Sequence, residues 1–130
     1  MSAPDVSWPA GRTQPAVAAE PTTAATDYLI AAACGVFAIS LATRGARIEW
    51  PMGFALGGIS ALLGGTWHGF RSAFALRTQA TMWMLMLLTF GASAAAFGAG
   101  AISVVAPDVQ TLTLRLAAVT LLGIYAVAAL

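Results

Sequence analysis

His68 is the single histidine of the sequence, and it is the residue best suited to chemistry. It stands in Gly64-Gly65-Thr66-Trp67-His68-Gly69-Phe70-Arg71. A neutral imidazole can take a proton, pair with a carboxylate or hold a metal. Counting apolar crossings along the chain brings Asp27, His68 and Arg71 to one end of the molecule. The expectation is an interface cluster of these three, with Asp27 as the partner of the imidazole and Arg71 reaching for headgroup phosphate. Ligation of a tetrapyrrole is the alternative. A macrocycle held by an imidazole needs a flat void one turn away, and Gly64, four residues before His68, with Gly65 three before, would provide it. His68 and Gly64 are therefore the candidate cofactor-binding residues.

Other reactive groups are few. Cys34 is the one cysteine and falls in an apolar stretch, so it forms no intrachain disulfide and reads as a small filler. Met82, Met84 and Met86 do not share a helical face, which argues against a methionine metal box. A lone imidazole with one carboxylate lacks the three ligands of an open zinc site, so neither a metal site nor a catalytic set is expected.

The elements that must position His68 are helices in a membrane. Residues classed as hydrophobic make up 59% of the 130, against 8% charged, more apolar material than a soluble domain of this length can hide. About 20 apolar residues in a helix cross a hydrocarbon core of about 30 Å. Four stretches qualify, at about 26–44, 51–70, 81–106 and 111–130, giving an all-α bundle of four transmembrane helices in one domain, 26–130. Residues 1–25 lack the basic start and apolar run of a secretory leader. Prolines at 4, 9, 15 and 21 break any helical period there, so the segment reads as an extended or disordered tail, with Trp8 an anchor on a partner surface. The last helix runs to Leu130 without a polar flank, so it either stops at the interface or belongs to a longer natural chain.

All six basic residues are Arg, and the formal net charge is +1. No basic field exists for nucleic acid. Four crossings set Arg12, Arg71 and Arg77 against Arg44, Arg47 and Arg115, a near-balance that leans to a cytoplasmic N-terminus.

Helix packing should depend on small residues, because lipid does not press apolar helices together. The second stretch carries Gly53-x-x-x-Gly57 and Gly65-x-x-x-Gly69. The third carries Gly91, Ala95 and Ala99, with a second row at Ala94 and Gly98. These faces suit neighbouring helices, a flat cofactor or a bound lipid.

Two resemblances follow from these motifs. Gly64-x-x-x-His68 is similar to the small-residue-x-x-x-His arrangement of bacterial light-harvesting polypeptides, which implies bacteriochlorophyll on the histidine. The run Thr26-Asp27-Tyr28-Leu29 with Ala61-Leu62-Leu63-Gly64-Gly65-Thr66-Trp67-His68-Gly69 resembles uncharacterised bacterial polytopic proteins distantly similar to the alkaline ceramidase and progestin-receptor-like superfamily. That likeness implies a seven-helix membrane hydrolase with a zinc site of several histidines. Gly64 stands where that superfamily has a serine, and no His-x-x-x-His follows. The expected function is thus a non-catalytic accessory subunit of a larger membrane complex, in a photosynthetic reaction centre with its antenna or a respiratory assembly. Its neighbours would be lipids and other integral subunits of a bacterial inner or intracytoplasmic membrane.

Overall fold

The computed structural model describes residues 20–105, together with Val119, Thr120 and Gly123. The chain is all-α, with no strand among the described residues. Three helices follow one another, α1 (Pro21–Thr43), α2 (Glu49–Phe70) and α3 (Leu76–Val105), with a short 3-10 turn at Arg71–Ala73 before α3. Of the fourth expected span, 111–130, Val119, Thr120 and Gly123 are helical. The rest of that span, with Arg115, and residues 1–19, with Trp8 and Arg12, lie outside the described residues.

Two boundaries differ from expectation for physical reasons. α1 begins at Pro21, inside the stretch read as tail, because proline at the first helical position needs no N–H partner and its ring presets the helical φ. α3 begins at Leu76 rather than 81, its first turn carrying Arg77 and Gln79 ahead of the apolar run. Helices end where their hydrogen bonds end, not where hydropathy changes.

The connections are short and satisfied. α1 closes in a Schellman motif: the Gly45 N–H donates to the Ala42 carbonyl and the Ala46 N–H to that of Leu41. Gly45 takes φ 71°, the left-handed conformation that favours glycine. Between α2 and α3, the Gln79 amide donates to the carbonyls of Arg71 and Phe74, both at 2.9 Å.

All the extensive packing among the described residues runs through α2, which lies against α1 on one side and α3 on the other. α1 and α3 are each long and apolar enough to cross a membrane. α2 falls short of them in hydropathy, six of its 22 residues being glycine.

Burial is inverted relative to a water-soluble domain. The buried positions of the helices are Ala24, Pro51, Gly53, Ser60, Gly64, Gly65, Ser93, Ala96 and Gly100, all small or cyclic. Among the described residues no large side chain is fully buried, while Leu29, Val36, Ile39, Phe90 and Val104 each expose more than 60% of their surface. Hydroxyls are turned inward on the helix backbone: Thr26, Thr43, Thr66, Thr81 and Thr89 each donate to the carbonyl four residues earlier.

Candidate functional site

The polar residues gather where the start of α1 meets the end of α2. Glu20, at the N-cap of α1, lies level with the last turn of α2. Its Oε2 is 2.8 Å from His68 Nδ1 and its Oε1 is 3.9 Å from Arg71 Nη2. The His68 contact is close but not aligned as a hydrogen bond, and Nδ1 is shut off from solvent. The Arg71 guanidinium stacks over the Trp67 ring at 5.0 Å, and Trp67 in turn packs on Trp83 of α3 with centroids 5.2 Å apart. One carboxylate thereby ties two basic groups, and a cation–π contact ties the arginine to the α2–α3 seam.

The carboxylate beside His68 is Glu20 and not Asp27, which corrects the expected cluster. The cause is the earlier start of α1: with Pro21 inside the helix, Glu20 reaches the level of His68, and Asp27 falls two turns deeper. There Asp27 faces the glycines of α2. A Cβ at Gly64 would lie 3.2 Å from Asp27 Oδ2 and 3.3 Å from Met86 Sδ, and one at Gly65 would lie 3.1 Å from both Asp27 Cβ and the Ala24 carbonyl oxygen. The position one turn below His68 is therefore filled by Asp27 and Met86. A macrocycle on His68 would have to lie elsewhere than in the void expected at Gly64.

Beside this column, the Tyr28 and Thr66 hydroxyls are hydrogen-bonded at 3.1 Å across α1 and α2. On the other side of α2, Ser60 donates to the Met86 carbonyl at 2.9 Å and Ser93 to that of Gly53 at 2.7 Å. Ser60 is one of the small residues between the glycine pairs of α2, while Ser93 stands outside the small-residue rows legible on α3. Their spacing from the glycines was the available signal.

The small residues divide between the two neighbours of α2. Gly65 and Gly69 close on Ala24 of α1, Gly53 on Phe97 of α3, and Gly57 lies 3.1 Å, measured from a Cβ built on it, from Ser93 Oγ. On α3 the buried face is Ser93, Ala96 and Gly100. Gly91 and Ala95 are half-buried beside it, and Gly98 has open space where its Cβ would stand. At the opposite end from His68, Phe37, Phe54 and Phe97 pack in sequence with centroids 5.2 and 4.9 Å apart, and Trp50 lies 6.0 Å from Phe97. Among the described residues, no group of three His, Cys, Asp or Glu side chains is placed to hold a metal ion.

Comparison with curated proteins and with solved structures finds no match. Residues 22–130 match a family of unknown function, DUF6962, over most of the chain, and the protein belongs to that family.

Proposed function

We propose that this protein is an integral membrane subunit that packs within a larger membrane assembly and carries out no chemistry of its own. The carrying observation is the inverted burial: small residues inside, large apolar side chains outside. Such a surface is stable in lipid or against other transmembrane helices and costly in water. The fourth span, 111–130, completes the bundle, and the N-terminal side faces the cytoplasm of a bacterium. In this role the Glu20, His68 and Arg71 group ties the ends of α1 and α2 at the membrane edge, where a guanidinium can stay hydrated.

The test is native mass spectrometry of the protein taken from its own membrane in mild detergent, with an absorption spectrum of the same sample. Co-purification with other integral subunits is the expected result. A solitary chain overturns the proposal, and stoichiometric zinc on it would point to a hydrolase instead. Near-infrared absorbance that disappears in His68→Leu would overturn the purely structural role of His68 and make it a pigment ligand.

A further inference from the structure

We propose that Asp27 is the docking carboxylate for a partner transmembrane helix that carries an arginine or lysine at the matching depth. The proposal rests on the accessory-subunit reading and names the chemistry of the partner. Asp27 is six residues into α1, about 9 Å from its start at 1.5 Å per residue. Its Oδ2 stands at the point where α1, α2 and α3 converge on Gly64, flanked by Met86 Sδ. A carboxylate at membrane depth is costly unless it is paired or protonated, which makes such a residue a functional candidate.

The nearby polar side chains face other groups. Tyr28 is hydrogen-bonded to Thr66, Ser60 and Ser93 donate to backbone carbonyls, and His68 and Arg71 both lie on Glu20. Arg44 and Arg47 are at the far end of α1, and Arg47 pairs with Glu49 at 3.3 Å. Among the described residues, no donor serves Asp27, and the residue is half-buried, which leaves part of its surface open to a neighbour. Ile30, three residues on and on the same side of α1, is 47% exposed, and Ala31 beside it is half-buried, offering apolar surface next to the acid. A basic side chain entering from a neighbouring helix supplies the missing charge, while its apolar flanks cover these residues. Charge complementarity of this kind fixes partner and register.

The experiment compares wild type, Asp27→Asn, Arg12→Gln and Arg115→Gln, each isolated as the full chain from its native membrane in mild detergent. The wild type should bring down an integral partner with a basic residue in an apolar span, and Asp27→Asn should lower its yield at least about tenfold. Replacing the partner's basic residue with leucine should produce the same loss with this chain unaltered, so that misfolding of Asp27→Asn cannot decide the matter. Undiminished recovery with either the Asn variant or the altered partner overturns this inference and leaves the accessory reading standing. Loss of the partner in Arg12→Gln or Arg115→Gln to the same extent as in Asp27→Asn would assign the ion pair to this chain itself and overturn the inference. A wild type that purifies alone overturns the accessory reading on which it rests.

Discussion

The two Gly-x-x-x-Gly pairs of α2 look alike in sequence and do different work. Gly65 and Gly69 receive Ala24 of α1, and what lies against Gly65 includes main chain, the Ala24 carbonyl oxygen, together with the Asp27 Cβ and the Tyr28 ring. Gly53 and Gly57 receive the Phe97 ring and the Ser93 hydroxyl of α3, which are side chains. Main chain cannot retreat without moving its helix, whereas a side chain can rotate if its neighbours let it. The α1–α2 seam is thus a close approach of backbones, supplemented by the Tyr28–Thr66 hydrogen bond. The α2–α3 seam is held by serine-to-carbonyl hydrogen bonds and aromatic contacts.

Substitution can break this contrast. The largest effect is expected from Gly65→Leu, which drives four carbons into the Ala24 main chain, Asp27 and Tyr28. A loss of about 3 kcal/mol, the upper end of overpacking, should appear as lowered thermal stability in detergent. An unchanged transition would show that α1 is not held at that point. Gly53→Ala should come next, at about 2 kcal/mol, because its Cβ would lie 2.8 Å from Phe97 Cε1 and that ring is confined by Trp50 and Phe54. If Phe97 swings aside freely, the loss will be negligible and the aromatic end is looser than the contacts imply.

Ser93→Ala sharpens the comparison from the α3 side. It removes a buried hydroxyl bonded to the Gly53 carbonyl, at a cost of about 1 kcal/mol. A larger effect than that of Gly53→Ala would make hydrogen bonding, not shape, the main cohesion of this seam. Gly98→Leu should be nearly silent, within about 0.5 kcal/mol, since nothing stands within 4 Å of its Cβ position. Strong destabilisation of the isolated chain would show that another element covers Gly98.

Part of the contrast was legible in the sequence. Residues 53 and 65 are twelve apart, which on a straight helix turns them about 120° from each other, so the two glycine pairs must address different neighbours. Which neighbour each meets was not legible, because it depends on how α1 and α3 are seated. The same holds on α3, where the rows at 91 and 95 and at 94 and 98 are as small as the buried face at 93, 96 and 100. Small-residue spacing marks where helices can approach, and several faces of one helix satisfy it.

The partner of His68 was missed for a different reason. Glu20 stood in a stretch read as tail, since hydropathy is blind to a helical turn that begins with proline before the apolar run. Asp27 stands at the start of that run, and counting crossings puts it on the same side as His68.

By composition and hydropathy alone, the chain is committed to long apolar helices whose close contacts must use glycine, alanine and serine. In lipid each segment must satisfy its own backbone polar groups, and apolar runs of about 20 residues without alternation do so as helices. Only the tertiary structure decided that α2 is the central helix and that Glu20, not Asp27, meets His68. It also decided that Asp27 and Met86 fill the space at Gly64, because these facts depend on the relative height and rotation of helices far apart in sequence.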